Sequence, residues 1–349
     1  MKHSSLWFDQ KEITMLGSKR IIIAPLHWGL GHATRCVPII QQLLVQKNKV
    51  AIASDGQALE FLKTEFPELT HFELPGYNIH YSTQSMAVNM MLQAPKIARA
   101  VINENRAIKK LAKKWRADII ISDNRLGCKT DFTENIFITH QIRIPARSNF
   151  VSSIASKIHQ YIITKYDQCW IPDYEGEQAL AGKLSQVKLP IPQVYLGPLS
   201  RMIDYPMDMV YDYTAILSGP EPQRSYLENI LVKLFNQRED LSLCIVRGTN
   251  DKPILDTKGH ISVYNLTNTT DLNKIIQQSD HIICRSGYTS IMDLVSLNKG
   301  ATLIPTPGQY EQEYLGQRLD GKFGFRTIAQ KRLMQSSIQE KLELLLSFS

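Results

Sequence analysis

Residues 280–319 read DHIICRSGYTSIMDLVSLNKGATLIPTPGQYEQEYLGQRL. His281–Cys284 is an apolar run long enough for a buried strand and too short for a helix. Arg285-Ser286-Gly287 breaks it, with Ser286 the expected N-cap and Gly287 the turn residue. Tyr288–Leu297 places Ile291, Leu294 and Val295 at helical spacing. Ala301–Ile304 reads as a second buried strand, stopped by Pro305-Thr306-Pro307-Gly308. A strand, tight turn and helix in this order leave backbone N–H groups and a positive dipole end at the carboxyl edge of a parallel sheet. Phosphate binds at such an edge. Gln309, Gln312 and Glu313 follow the next strand on the same edge, where amides and carboxylates can receive sugar hydroxyls.

The same grammar opens the chain. Arg20–Ala24 is an expected strand, Pro25–His32 a glycine-containing loop, Ala33–Val45 a helix and Val50–Ser54 a strand. The GxGxxG dinucleotide spacing is absent, and Asp55 reads as a turn residue. Strands at 119–122 and 136–139 end in Asp123-Asn124-Arg125 and His140-Gln141, both able to reach a substrate. Asp123 also reads as a salt-bridge partner of Arg125. His32 sits at a helix start, where the dipole disfavours its cation, so a neutral imidazole there can act as a base.

Cys-Arg-Ser-Gly at 284–287, the acidic helix residue Asp293, the proline after the next strand and the glutamine-rich loop together resemble the donor-binding half of GT-B glycosyltransferases. The likeness extends to the peptidoglycan N-acetylglucosaminyltransferases (MurG-like) and other family-28 members. It implies two Rossmann-like α/β domains facing a cleft, with a C-terminal helix returning to the first domain. Asp293 takes the ribose-binding place, and Gln312 and Glu313 the donor-sugar places. Two departures are Asp for the family's longer Glu and Glu for one Gln. The loop Trp-Gly-Leu-Gly-His-Ala-Thr-Arg at 28–35 resembles the family's first glycine loop, which puts Gly29 and Gly31 at the acceptor and His32 facing acceptor and phosphates. His140 and Gln141 match a loop over the acceptor. Arg201, after Gly197-Pro198, matches an arginine near the donor diphosphate. Ser218, Gly219 and Arg224 occupy the family's phosphate loop, although Pro220 and Pro222 remove donors and Glu221 adds charge. Asn268 and Thr269 fall where the family grips uracil.

The resemblance divides the chain into an extension (1–18), an acceptor-side domain (19–200), a linker (201–212), a nucleotide-sugar domain (213–330) and a crossing helix (331–349). Its implied reaction is inverting, metal-independent transfer of a hexose or N-acetylhexosamine from a UDP-sugar to a lipid or cell-envelope acceptor. No cofactor or metal is expected, since the nucleotide-sugar is itself a substrate. His32, or else Asp123, deprotonates the acceptor. A nucleotide-sugar epimerase or hydrolase, and a non-catalytic nucleotide-sugar-binding protein, are the alternatives.

Composition agrees with two soluble domains: 349 residues, 43% apolar and 21% charged, with no apolar run of membrane-spanning length. No secretion signal is expected before residue 18, and Met15 is an alternative start. Five scattered cysteines without a CxxC pair suggest reduced thiols in a cytosol. The net charge of +7 is uneven: residues 96–116 hold eight bases and one acid, equal to the whole excess. With the methionine-rich segment 81–92 before it, this stretch (81–116) is expected either to meet an anionic membrane at its inner face or to be a solvated helix. Nucleic acid is not expected, because no binding motif is present, and no obligate protein partner is evident.

Overall fold

The β-branched runs around 21–23, 119–121 and 282–283 are wholly buried, as strands covered on both faces require. The computed structural model describes residues 18–77, 93–249 and 257–346. The chain forms two compact units, 1–201 and 202–349.

In the first unit the strands are β1 (Arg20–Pro25), β2 (Lys49–Ser54), β3 (Thr70–Glu73), β4 (Ile119–Asp123), β5 (Glu134–Ile138), β6 (Gln168–Ile171) and β7 (Gln193–Tyr195). They lie in the order β3-β2-β1-β4-β5-β6-β7, and every pairing is parallel. The helices are α1 (Gly31–Val45), α2 (Gly56–Glu65), α3 (Ala94–Trp115) and α4 (Asn149–Ile163). Sheet residues Ile22 and Ile120 pack in one core with Ile108 and Ala112 of α3. The strand order reverses between β1 and β4, so the crevice for a ligand lies where those two strands end. Pro25 pairs with Asp123 at that edge.

The second unit repeats the plan. Its strands are β8 (Tyr211–Ile216), β9 (Leu243–Val246), β10 (Ile261–Tyr264), β11 (Ser279–Cys284), β12 (Ala301–Leu303) and β13 (Phe325–Thr327), in the order β10-β9-β8-β11-β12-β13, all parallel. Its helices are α5 (Gln223–Phe235), α6 (Thr269–Gln277), α7 (Tyr288–Ser296), α8 (Tyr310–Leu319), α9 (Gln330–Gln335) and α10 (Ile338–Leu346). The reversal here falls between β8 and β11. The loops 217–222 and 285–287 therefore meet the switch point.

Two readings change. The crossing helix expected over 331–349 is, among the described residues, two short helices, separated at Ser336, whose backbone is extended. Leu333, Leu344 and Leu345 enter the second unit's core with Leu227 and Leu231 of α5. β8 begins at Tyr211, inside the stretch read as linker. The methionine-rich segment 81–92 lies outside the described residues, as do residues 1–17. Among the described residues, no helix is long and apolar enough to cross a membrane.

Leu345 is fully buried, although only four residues of the sequence follow it. Leu345→Ala is expected to cost about 2–5 kcal/mol in urea unfolding, because it leaves a cavity under α5. A cost below about 0.5 kcal/mol would show that α10 is not part of the core.

Candidate active site

Helix α1 begins at Gly31 without a side-chain cap, so its first N–H groups are not occupied by a capping oxygen. His32 and Arg35 follow at a three-residue interval, which puts them on one helix face. That face meets the end of β4. His32 Nδ1 lies 3.0 Å from Asp123 Oδ1. Arg35 Nε donates to Asp123 Oδ2 at 2.6 Å, and Nη2 donates to Oδ1. Arg35 Nη2 also lies 2.8 Å from His32 Nδ1, and Nη1 lies 3.2 Å from His140 Nδ1. Asp123 is fully buried and Arg35 nearly so, whereas the His32 side chain keeps 15% of its surface accessible. Burial works to raise the Asp123 carboxyl pKa, but Arg35 and His32 outweigh it and hold the group well below the usual carboxylate range. Burial lowers the His32 pKa; Asp123 opposes this and Arg35 adds to it, leaving the imidazole below its ordinary value.

A second network adjoins the same edge. Arg125, fully buried, donates to Glu104 at 2.5 Å and to Asp55 at 2.6 Å. Asp55 in turn lies 3.3 Å from His27 Nδ1. Glu104 also accepts from Tyr77 and from the Gly127 N–H. Asp55 is thus an ion-pair partner as well as the N-cap of α2, a role the turn reading missed. Asp123 does pair with an arginine, but it is Arg35, not Arg125.

In the second unit α7 begins at Gly287, which is the N-cap and provides no side-chain cap. A Cβ built on Gly287 would meet no protein atom within 4 Å. Ser286 was expected as the cap. Its hydroxyl instead donates to the Gln312 carbonyl at 2.8 Å. Gly219 has φ +95°, and a Cβ there would come within 3.4 Å of Thr306 Oγ1. Thr306 is 1% exposed, and its hydroxyl has no hydrogen-bond partner among the described residues. A helix start without a side-chain cap, a glycine and an unsatisfied buried hydroxyl therefore gather around the β8–β11 switch point.

Residues 20–197, a little over half of the chain, match glycosyl transferase family 1. The chain belongs to that family. It is a glycosyltransferase. Residues 219–349 of the enzyme also match the glycosyltransferase family 28 C-terminal domain. No curated protein matches it. Among solved structures, it is similar to the glycotransferase of kitacinnamycin at 12% identity, covering 95% of this chain and 90% of that one, with a TM-score of 0.65. The spinosyn rhamnosyltransferase SpnG gives 13% identity, 94% and 92% coverage and a TM-score of 0.65. The calicheamicin glycosyltransferase CalG4 gives 11%, 94% and 90%, and 0.64. These likenesses establish the GT-B fold. They do not single out the MurG-like branch.

The glycosyltransferase places its expected site residues unevenly. His32, Asp123 and His140 come together through Arg35. Gly29, at φ +78°, and Gly31 lie in the same loop and helix start, and the Gln141 N–H donates to Thr139. Ser218, Gly219, Gly287 and Asp293 stay with the β8–β11 edge and α7. Others are committed elsewhere. Arg285 is fully buried and donates through Nη1 and Nη2 to the carbonyls of Ile304 and Gln223 and to Gln330, so it ties loops together, while its Nε has no hydrogen-bond partner among the described residues. Arg224 pairs with Glu221 and donates to the Arg247 carbonyl. Asn268 caps α6 by accepting from the Asp271 N–H at 2.8 Å, and Thr269 is that helix's first residue. Gln312 is held at both ends of its amide, by the Thr306 N–H and by Gln309. Glu313 accepts from the Gly308 N–H. Arg201 lies over the Phe61 ring in the first unit. Sequence reasoning missed Arg35 and Thr306. The three-residue spacing from His32 is a signal for Arg35, whereas nothing local marks Thr306. Among the described residues, no group of three or more His, Cys, Asp or Glu is placed to hold a metal.

Asp123→Ala leaves the Arg35 charge buried and uncompensated, an expected cost of about 3–5 kcal/mol in urea unfolding. The double change Arg35→Met with Asp123→Leu should recover most of that loss. If the double variant is no better than the single, the pair is not an isolated unit. His32 has its folded pKa below its unfolded value of about 6.5. The stability it imparts is therefore complete above about pH 6.5 and is lost as pH falls below that toward the folded value. Compared with His32→Gln, the wild type should lose stability more steeply below about pH 6.5. Parallel curves would mean the imidazole is not held neutral.

Proposed function

We propose that the glycosyltransferase moves a hexose or N-acetylhexosamine from a nucleoside-diphosphate sugar to an acceptor hydroxyl, with inversion and with His32 as the base. The observation that carries this is the His32–Asp123 contact at 3.0 Å beside a helix start, with burial lowering the imidazole's pKa below its ordinary value. In this reading Nδ1–H donates to the ionised Asp123, which selects the tautomer whose Nε2 is unprotonated. Asp123 stays a carboxylate throughout, so it orients the base and is not itself one. Arg35 holds Asp123 in place.

The acceptor hydroxyl gives its proton to His32 Nε2 as its oxygen attacks the anomeric carbon. The bond from that carbon to the donor phosphate breaks, and its electron pair leaves on the nucleoside diphosphate. Negative charge grows on the diphosphate oxygens at that moment. The uncapped start of α7, with the N–H groups following Gly287, supports stabilisation of that charge. Thr306 Oγ1 supplies a hydrogen bond that it otherwise lacks. Asp293, on α7, takes the ribose hydroxyls, and Gln309, Gln312 and Glu313 shape the sugar loop more than they reach into it.

UDP is the expected nucleotide, following the uracil-binding resemblance of the family-28 half. Thymidine diphosphate is the second candidate, because SpnG and VinC were solved with it. A lipid or cell-envelope acceptor, and a peptidoglycan-type sugar, belong to the same proposal.

A thermal-shift screen against UDP- and TDP-sugars tests donor binding. Ligand at about 100 times its dissociation constant adds ~2.7 kcal/mol, a visible shift. Asp293→Ala should abolish the shift given by the best donor. His32→Ala should keep the shift and lose transfer by about 10²–10⁴-fold. Normal transfer by His32→Ala would remove the base assignment. Release of sugar or an epimer from donor alone would favour the hydrolase or epimerase alternative. A shift with no turnover over an acceptor panel would favour a binding protein.

A further inference from the structure

Helix α4 is built inside out. Its inward positions are polar: Ser152 donates to the Ile144 carbonyl at 2.7 Å, and Ser156 accepts from the Ile144 N–H at 2.9 Å. Gln160 donates to the Ile142 carbonyl at 3.4 Å. Only Ile163 is a large apolar side chain fully buried from this helix. The opposite face carries Phe150, Val151, Ile154, Ile158 and Tyr161. At ~100° per residue these five fall within about 100° of arc. All are exposed, Phe150 by 74%, Ile158 by 57% and Tyr161 by 63%. A stripe of large apolar side chains on one face, with serines turned inward, is the reverse of a core-facing helix.

The charges around the stripe are of one sign. Residues 141–166 contain Arg143, Arg147, Lys157 and Lys165 and no acid. Lys165 Nζ lies 4.2 Å above the Tyr161 ring, and Lys129 Nζ lies 6.0 Å from the centre of the Tyr166 ring. Burial first, then repulsion from Lys165 and from Lys109 of α3, lowers the proton affinity of Lys129, so these three ammoniums share one region. The acids that face it are Asp131, paired with Lys109 at 3.5 Å, and Asp167. The arrangement joins the basic face of α3 to the apolar face of α4.

We propose that the outer face of α4 docks the first unit onto an anionic lipid surface. Phe150, Ile154, Ile158 and Tyr161 enter the boundary between headgroups and acyl chains, while Lys157, Lys165 and Lys129 meet lipid phosphates. A neutral apolar partner would not account for four bases and no acid. The occupant is therefore a negatively charged surface with an apolar interior. Docking by α4 refines the membrane side of the functional reading and does not need the segment 81–92.

Sedimentation of the full chain with vesicles tests it, without donor or acceptor, so its outcome is separate from that of the glycosyl-transfer assays. Vesicles of phosphatidylcholine with about one-third phosphatidylglycerol should bind the protein, and pure phosphatidylcholine should bind about tenfold less. Ile154→Ser with Ile158→Ser, and separately Lys157→Glu with Lys165→Glu, should each lower binding by about tenfold or more. Their thermal midpoints should be unchanged, since all four side chains are exposed. Failure of the wild type to bind, or binding by both double variants at the wild-type level, overturns the proposal. If the wild type does not bind and is a dimer that Ile154→Ser with Ile158→Ser makes monomeric, the face belongs to a second copy and the lipid assignment fails.

Discussion

The first unit depends on one buried charge pair. Arg35 comes from the first helix and Asp123 from the end of the fourth strand, 88 residues later, yet the guanidinium grips both carboxylate oxygens. Neither charge could be buried alone; removing water from one ion costs several kcal/mol, which the partner must offset. Once formed, the pair fixes the edge where β1 and β4 part, and His32 is held against it. Arg35 and His32 keep Asp123 ionised against burial, whereas the His32 pKa is lowered first by its own burial, with Asp123 opposing and Arg35 adding. Structural role and chemical role are therefore the same interaction seen from two sides.

The second unit solves a different electrostatic problem. In the proposed reading a diphosphate would meet the β8–β11 edge, where the arginines are paired. The arginines that sequence places nearby are turned to structural work: Arg285 joins three loops, and Arg224 answers the Glu221 charge. Glu221 thus makes the loop after β8 less cationic than Arg224 alone would suggest. What remains for an anion is the dipole of α7 and the unsatisfied Thr306 hydroxyl. A helix end contributes about 0.3–1 kcal/mol at an exposed site and up to ~2 when partly buried. Several such groups, not one strong cation, would have to act together.

Helix α4 shows that burial of apolar groups is not a uniform rule within one chain. Its serines satisfy the backbone of residue 144, which would otherwise be left without partners. That requirement turned the polar side inward and left isoleucines and aromatics outside. The helix is legible as a helix from its sequence, but its orientation is not, since an apolar stripe is ordinarily read as the inner face.

Much of the architecture was written in the sequence. Runs such as Ile21-Ile22-Ile23 and Ile282-Ile283 can only be strands covered on both sides, and each is followed by a loop and a helix, so two doubly wound parallel sheets follow from local pattern. The glycine loop before His32 and the turn before α7 were legible for the same reason, because strand, breaker and helix lie next to one another along the chain. β3 and β13, edge strands of four and three residues, gave too little pattern to be found. The partners of the charges were decided only by the tertiary structure. Nothing local says that Asp123 meets Arg35 and not Arg125 two residues away, that Ser286 bonds to Gln312 instead of capping its own helix, or that Arg285 faces carbonyls. Those choices depend on which strand ends the sheet brings together, and on the need of every buried ion and N–H to find a partner somewhere in the fold.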